Sequence, residues 1–546
     1  MSRKSATRWL AFLSLVGFAF CLSGCGGSDP DSAAPAAAEG VTEAVQEPDI
    51  DRAEADRIAA LSAMDLRAAM TGGELTAEQV TKAFLSRIAR FDDAGPRLNA
   101  IIEVNPDALD IARSLDVALT AGRPPGPLHG VPVVVKANID TADQMATSAG
   151  SLALAEHYAP EDAHIVQRLR EAGAVLLGKA NLSEWANFRD SDSISGWSSL
   201  GGQTRNPYRL SRNPCGSSSG SAVAVAARLA PLAVGTETNG SIVCPAGANG
   251  VLGLKPTMGR VSRHGIIPIA ESQDIAGPMA NTAGDLALLM SVLDGEDRRD
   301  RATMVRFKRY SILEPTVTDA KGMRIGVWRQ YPGAGTNPEL DALFDEQISR
   351  LKAAGAEIID PVEMSTGDLG ERSYGKMLYE FRSGLDRYLG GLPATTDAPR
   401  SLAELIAWNE AHADDALPLF GQDIFQAAQN IDMSELEFAE AKATVLREAN
   451  VQLEGALQRH KLSHLISVTN GPAWPTAPQG DEFTVSSSTL AAISGHPHIT
   501  VPMGLVDGLP VGMSVMVRRA NEFRALKVAH LVEQLRDPFP EPTFQP

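Results

Sequence analysis

Two places in the middle of the chain carry serines, the residue type that covalent hydrolases use as a nucleophile. Residues 215–222, CGSSSGSA, contain four serines, and Ser241 follows Gly240 shortly after the apolar run PLAVGTE. A serine hydroxyl is a weak nucleophile until a positioned base takes its proton. Backbone N–H groups lie bare where a strand ends in Gly-Ser, and they can bind a developing oxyanion while the glycine admits the substrate. Ser241 is therefore the better-placed nucleophile.

An alternative nucleophile lies within the serine run itself. Gly216, Ser218 and Gly220 satisfy G-x-S-x-G, the nucleophile elbow of α/β hydrolases, which requires a strand leading into the turn and a later histidine. The preceding residues, GGQTRNPYRLSRNPCG, contain too much Gly, Asn and Pro for that strand. His496 or His498 would be the histidine, and the alternative stays open on that basis. A metal site at these two histidines is disfavoured because no carboxylate stands at ligand spacing, so we interpret them as structural or surface residues.

Alternating apolar segments predict the elements that position these residues. Strands are predicted at VPVVVKANID, AVLLG, PLAVGTE, MRIGVW, AEIID, HLISV, HITVPM and GMSVMVRR. Helices are predicted on both sides of the glycine pair at 72–73, in DAHIVQRLREAG, in SAVAVAARLA, over 338–354 and over 521–536. Residues 367–460 are polar with helical spacing and predict a helical cap or insertion. This alternation of strands and helices indicates an α/β fold.

The first residues have the pattern of an export signal. Arg3, Lys4 and Arg8 precede the fourteen-residue apolar run WLAFLSLVGFAFCL, which is too short to span a bilayer. The next residues, LSGC, resemble the lipobox of bacterial lipoproteins, so residues 1–24 are predicted to be a lipoprotein signal peptide and Cys25 the lipidated first residue. Residues 25–54 are predicted to be a disordered tether because they contain few large apolar side chains. We therefore expect a lipid-anchored protein of the bacterial cell envelope, with secretion without a lipid as the alternative.

Composition limits the partners of the mature protein. The chain has 546 residues, 44% of them hydrophobic, and a net charge of −18 at pH 7. Such a surface repels nucleic acids, and contact with the membrane is expected through the lipid alone. Beyond the signal and Cys25 the cysteines are Cys215 and Cys244; an oxidising compartment permits a bridge between them, although one pair is no disulfide framework.

Several segments together resemble the amidase signature family of serine hydrolases. They are LHGVPVVVKANID, PCGSSSGSAVAVAARLAPLAVGTETNGSIVCPAG and GLKPTMGRVSRHGIIPIAESQDIAGPMA, and the likeness extends over about residues 55–540. The resemblance implies a large mixed twisted β-sheet covered by helices on both faces, and a reaction without cofactor or metal. It also implies a Ser–cisSer–Lys triad that places the base at Lys136, the bridging serine at Ser217 and the nucleophile at Ser241. The 24 positions between the two serines agree with the family's spacing.

The implied chemistry requires an uncharged lysine. A free lysine has a pKa of about 10.4 and is a poor base at neutral pH, but Lys136 ends the apolar run VPVVV, and burial favours the neutral amine. Lys136 then accepts a proton from Ser217, which accepts one from Ser241 as it attacks the amide. The resemblance further places the oxyanion-binding N–H groups at Thr238, Asn239, Gly240 and Ser241, and a cis peptide bond before Ser217.

Three residues depart from the wider family. Ala137 stands where many members have Asp, which removes a charged neighbour of Lys136. Asn239 stands where many have Gly, and Asn is one of the few other residues that accept left-handed backbone angles. Val243 replaces an Arg that often follows Ser-Ile, which disfavours a substrate with a free carboxylate such as glutamine.

Within the family, the segments TSAGSLAL, NLSEWANFR, SISGW, GGQTRNPYR and DGLPVGM resemble the bacterial peptide amidases. The resemblance implies hydrolysis of a primary amide, the C-terminal amide of a peptide, to the acid and ammonia. One alternative is an amidase that acts on aryl or fatty amides. Another is a lipoprotein that has kept the fold as a binding module without catalysis, which the joint presence of Lys136, Ser217 and Ser241 argues against.

Overall fold

A mixed β-sheet of eleven strands forms the centre of the described part of the chain. The computed structural model describes residues 45–305, 316–394 and 396–546. The strands are β1 Ile101–Val104, β2 Pro132–Lys136, β3 Val175–Ala180, β4 Trp197–Ser198, β5 Gly202–Gln203, β6 Leu232–Glu237, β7 Leu252–Lys255, β8 Ile275–Ala280, β9 Arg324–Val327, β10 Glu357–Ile359, β11 His464–Val468, β12 His498–Val506 and β13 Leu509–Met516. The sheet order is β1-β3-β2-β6-β8-β7-β12-β13-β11-β9-β10, and β4 pairs with β5 in a separate ribbon.

Helices precede, separate and follow the strands. They are α1 Arg52–Ala59, α2 Ala63–Gly72, α3 Ala77–Arg87, α4 Ala108–Thr120, α5 His164–Glu171, α6 Ser219–Ala226, α7 Val243–Ala248, α8 Ala283–Leu293, α9 Pro338–Ala353, α10 Leu369–Gly390, α11 Leu402–Ala411, α12 Ala413–Ala416, α13 Asp423–Gln429, α14 Glu435–Arg459, α15 Thr489–Ser494 and α16 Glu522–Leu535. A π-helix over Ile88–Asp93 extends α3, and short 3₁₀ turns cover Leu152–Leu154, Glu184–Asn187 and Arg301–Met304. The predicted α/β fold is confirmed.

Strand β2 lies in the most enclosed part of the sheet. It pairs in parallel with β3 on one side and with β6 on the other, and all five of its residues are buried. Parallel strands covered on both faces are continuous apolar runs rather than alternating ones, as VPVVV is. Lys136 ends this run and is buried with it.

Helix α6 packs tightly because its residues are small. All eight of its residues, SGSAVAVA, are buried. A Cβ added at Gly220 would lie 2.2 Å from the carbonyl oxygen of Ala100, so a larger residue there displaces the backbone. The helix thereby brings the serine run directly against the sheet.

The predicted helical insertion, residues 367–460, contains α10 to α14, which lie between β10 and β11. Its apolar side chains form, with apolar side chains of the main body, a second cluster in which Phe381 and Phe425 stack with ring centroids 5.4 Å apart. Trp185 of the main body contacts Phe425 edge-on at 5.8 Å. The insertion and the main body therefore share this smaller core.

The ordered chain begins before the boundary predicted from composition. The backbone N–H of Val45 donates to Asp93 at 2.7 Å, Ser86 donates to Glu47 at 3.0 Å, and α1 starts at Arg52. The prediction of a disordered tether is therefore wrong for residues 45–54, because polar contacts, which composition does not reveal, hold this segment. The predicted signal peptide, Cys25 and the tether up to residue 44 lie outside the described residues. In the part of the chain that the structure describes, no helix is long and apolar enough to cross a membrane.

Candidate active site

Lys136 is the last residue of β2, and its side chain is completely buried. Its Nζ lies 2.7 Å from the Oγ of Ser217 and 2.9 Å from the Oγ1 of Thr236. The structure thus brings together the lysine and the bridging serine expected from the sequence, although 81 positions separate them.

Burial changes the protonation of Lys136. Loss of hydration lowers the pKa of its amine to about 7, against the opposing effect of the nearby Asp274 and Glu237 carboxylates. A pKa close to neutrality makes the uncharged amine available as a base at physiological pH.

Ser217 is the one serine of the octet in contact with Lys136. It follows a cis peptide bond from Gly216, and a Cβ at Gly216 would lie 2.2 Å from the Oγ of Ser183, so only glycine fits there. The other three hydroxyls each donate to a backbone carbonyl: Ser218 to Thr236 at 3.0 Å, Ser219 to Cys215 at 2.6 Å and Ser221 to Val234 at 3.2 Å.

Thr236 on β6 orients the lysine, and the sequence reasoning did not single it out. Its Oγ1 accepts from Lys136 at 2.9 Å and from the Asn138 amide at 3.1 Å, and its carbonyl oxygen lies 3.5 Å from the lysine Nζ. If both N–H bonds of a neutral amine point at Thr236, the lone pair faces Ser217 and can accept its proton. Strands β2 and β6 pair in parallel up to Val135 and Val234, so the contact forms just beyond the paired residues, and no local sequence pattern indicated it.

Ser241 lies in the turn between β6 and α7. Its carbonyl oxygen accepts from the backbone N–H of Ser218 at 3.1 Å, which joins the turn to the serine run. The half-buried Ser241 hydroxyl has no hydrogen-bond partner within the described ranges, so the structure joins Ser241 to the serine run through the backbone and not through its hydroxyl.

A buried carboxylate holds the turn open. One oxygen of Glu237 accepts from the backbone N–H groups of Ile242 and Val243, at 2.8 and 3.1 Å. The preceding N–H groups, those of residues 239–241, donate to no atom that the structure describes. They form the bare donor set that an oxyanion requires.

Asn239 does not adopt the left-handed backbone angles that asparagine tolerates. Gly240 has the left-handed φ of +87°, and Asn239 has no positive φ. The asparagine acts through its side chain instead: Ser488 donates to its Oδ1 at 2.7 Å, and its Nδ2 lies 3.4 Å from the Oγ1 of Thr489. These contacts fasten the exposed turn to the start of α15, a link between distant segments that no local pattern indicated.

The helical insertion reaches the same turn through the loop that precedes β8. Gln273 donates to the carbonyl oxygen of Thr238 at 3.2 Å. On α10, Ser373 and Lys376 donate to the other end of the Gln273 amide, at 2.6 and 2.7 Å. Thr238 in turn donates to Asp274 at 2.6 Å.

The histidines of the nucleophile-elbow alternative do not contact Ser218. His498 is fully buried with its Nε2 2.6 Å from Ser514, and burial lowers its pKa to about 3. His496 contacts Glu454 and Ser494. Both are buried structural residues, and the hydroxyl of Ser218 is already bonded to the backbone, so the geometry does not support the elbow.

Two of the residues that depart from the wider family, Ala137 and Val243, are buried. Ala137 packs with Ile102 and Leu182, and Val243 donates its N–H to Glu237.

Cys215 and Cys244 form a disulfide bond.

Comparisons with known proteins identify the family to which the chain belongs. The family model described as Amidase matches residues 79–526. The chain belongs to the amidase signature family. The crystal structure of native peptide amidase from Stenotrophomonas maltophilia is similar at 47% identity and a TM-score of 0.83, with 89% of this chain and 99% of that chain covered.

Two curated relatives show the breadth of the family. A probable amidase of Arabidopsis thaliana is 36% identical over 489 residues, covering 86% of this chain and 89% of the relative. A glutamyl-tRNA(Gln) amidotransferase subunit of Halorhodospira halophila is 36% identical over 486 residues, covering 87% and 96%. The protein is thus a hydrolase that acts on amides, and its structure is close to that of a peptide amidase.

Proposed function

We propose that this amidase hydrolyses a primary amide, the C-terminal amide of a peptide, to the carboxylic acid and ammonia. The observation that carries the proposal is the contact between the buried Lys136 amine and Ser217, beside a turn with bare N–H groups at Ser241. The likeness to a peptide amidase at 47% identity supports the substrate class.

The proposed cycle uses Ser241 as the nucleophile. As its Oγ bonds to the amide carbon, its proton passes to Ser217 and the Ser217 proton passes to Lys136. The N–H groups of Asn239, Gly240 and Ser241, with Thr238 at the start of the turn, surround the developing oxyanion. When the C–N bond breaks, the same relay returns a proton to the nitrogen, which leaves as ammonia. Water then attacks the acyl-enzyme, releases the acid and restores Ser241.

The lining of the cleft beside Thr236 and Thr238 disfavours a substrate carboxylate. This cleft is lined by the apolar Ala186, Ile267 and Ile269 and also by the acidic Glu237 and Asp274. Its arginine, Arg263, is already paired with Asp300 at 2.5 Å. With valine at position 243, a substrate carboxylate has no obvious cation to bind, which supports a peptide amide over free glutamine.

Ammonia release from purified protein tests the proposal. The panel contains peptide amides, aryl amides and long-chain fatty amides. We expect fastest turnover of peptide amides, loss of detectable turnover in Ser241→Ala, and a loss of roughly 10³-fold in Lys136→Ala, the scale of general-base catalysis. Ser221→Ala is the matched control, because its hydroxyl serves only the backbone. Equal turnover by the wild type and Ser241→Ala would exclude the nucleophile, and preference for another amide would reassign the substrate.

We further propose that the enzyme is exported and lipid-anchored through Cys25. The signal-like N-terminus and the lipobox resemblance support this location, and so does the Cys215–Cys244 disulfide, since such bonds persist in oxidising compartments. Cys25→Ser is expected to move the protein from the membrane fraction to the soluble fraction. Unchanged membrane retention of that variant would contradict the anchor.

A further inference from the structure

The disulfide bond joins the two segments that carry the reactive serines. Cys215 lies two positions before Ser217, and Cys244 lies three positions after Ser241. Both cysteines are at least 96% buried, against Ala248 and Trp474. The covalent ring that the bond closes contains both serines, together with α6 and β6.

Few other contacts fix the distance between these segments. The Ser218 N–H donates to the Ser241 carbonyl at 3.1 Å, and the Asn249 amide donates to the carbonyls of Pro214 and Pro245 at 2.7 Å each. These are hydrogen bonds between backbone or amide groups. The disulfide is the covalent connection between the two segments, and each of its cysteines lies within three residues of Ser217 or Ser241.

We propose that the Cys215–Cys244 disulfide is a positioning element that keeps Ser217 and Ser241 in register, so that full activity requires the oxidised enzyme. The inference rests on the proposed roles of the two serines. Proton transfer through two hydroxyls depends steeply on their separation, since a misplacement of about 1 Å can reduce rates about 10²-fold.

Reduction breaks the bond in a balanced step. Dithiothreitol supplies two electrons and two protons, the S–S bond becomes two thiols, and dithiothreitol becomes its cyclic disulfide. Two unbonded thiols need more room than a bonded pair, and the enclosing side chains leave little, so the segments move relative to each other. Binding of the amide in the cleft is not directly affected.

The test removes the disulfide bond in two independent ways. The wild-type protein is reduced with dithiothreitol until two thiols more than in the untreated protein are counted and is then reoxidised with oxidised glutathione. Separately, the double variant Cys215→Ala/Cys244→Ala is purified. We expect kcat to fall at least tenfold in both forms with KM changed less than twofold, and reoxidation to restore the wild type. The kcat of the double variant should not respond to dithiothreitol.

Thermal unfolding and circular dichroism, measured on each form, give the folded fraction by which kcat is corrected. A folded double variant with wild-type kcat overturns the inference, and so does a loss of kcat that the folded fraction fully accounts for. If the double variant does not fold, the reduced wild type decides alone. Failure of the proposed function can be told apart from failure of this inference, because in the first case the oxidised wild type releases no more ammonia than Ser241→Ala.

Discussion

At the scale of single residues, the chemistry depends on where one proton resides. Burial lowers the pKa of Lys136 to about 7, which makes the uncharged amine available near neutral pH, and Thr236 offers acceptors to its N–H bonds, so the lone pair can face Ser217. The nearby Asp274 carboxylate works in the opposite direction, since its negative charge favours the protonated amine. The base strength of the site is thus a balance between burial and the two carboxylates of Asp274 and Glu237.

This balance predicts a pH profile. The base is the neutral amine, so kcat/KM should rise with pH and level off above about 7, the pKa of Lys136. Asp274→Asn removes a negative charge that raises that pKa, so the rising limb should move to lower pH while the amide oxygen keeps an acceptor. Steady-state kinetics between about pH 5 and 9, where folded proteins are generally stable, measure the midpoint of the rising limb. An unmoved midpoint in the variant would show that Asp274 does not act on the lysine.

A second residue-scale prediction concerns Asn239. Asn239→Gly removes the contacts with Ser488 and Thr489 and frees the turn, so kcat should fall about tenfold, the equivalent of about 1.4 kcal/mol from lost hydrogen bonds. Asn239→Asp keeps the acceptor for Ser488 and should retain most of the activity. Equal kcat values for the two variants in ammonia-release assays would argue against this role.

At the scale of elements, apolar runs predicted most of the sheet but not all of it. Strands β1, β7 and β8 were not predicted. The sequence of β8, IAGPMA, contains Gly277 and Pro278, which normally indicate a break. Pro278 is tolerated because β7 pairs only with Met279 and Ala280 of this strand. Gly277 is required because a Cβ there would lie 2.0 Å from the Leu254 carbonyl oxygen. Such compatibility depends on neighbours that are distant in the sequence.

The candidate site divides in the same way. Lys136, Ser217 and Ser241 could be singled out from the sequence because each lies in a distinctive motif, and their catalytic roles stay a prediction. Thr236, Glu237 and the partners of Asn239 could not, since their roles arise only when β6, α7 and α15 are assembled. The spacing of residues along the sequence does not indicate those contacts.

The turn between β6 and α7 gives an element-scale prediction. Glu237→Ala leaves the buried N–H groups of Ile242 and Val243 unpaired, which should lower the free energy of unfolding by about 1–3 kcal/mol for each group and reduce kcat. Glu237→Gln keeps one acceptor oxygen and should recover part of both losses. Urea unfolding and kinetics on the same preparations check this. An alanine variant as stable as the glutamine variant would contradict it.

At the scale of the whole molecule, one buried arginine joins the insertion to the main body. Arg189 pairs with Glu184 at 2.6 Å, and both side chains are fully buried. The same guanidinium donates to the carbonyls of Ala416 and Phe420 in the insertion, at 2.7 and 3.3 Å. This contact and the aromatic cluster keep the insertion against the cleft.

Arg189→Met is expected to lower the free energy of unfolding by about 3–5 kcal/mol, because it leaves the Glu184 charge buried and unpaired. The matched control is Arg372→Met, whose ion pairs with Asp368 and Glu448 lie at the surface and contribute little. Chemical denaturation of both variants measures the difference. Similar unfolding free energies would mean that solvent reaches the Arg189 pair.

The link from α10 through Gln273 to Thr238 has a pharmacological consequence. Ser373 and Lys376 of α10 both donate to Gln273, and Gln273 donates to the backbone of the turn where the amide is proposed to react. A compound that binds the insertion and displaces α10 is expected to inhibit noncompetitively, so it need not resemble a peptide.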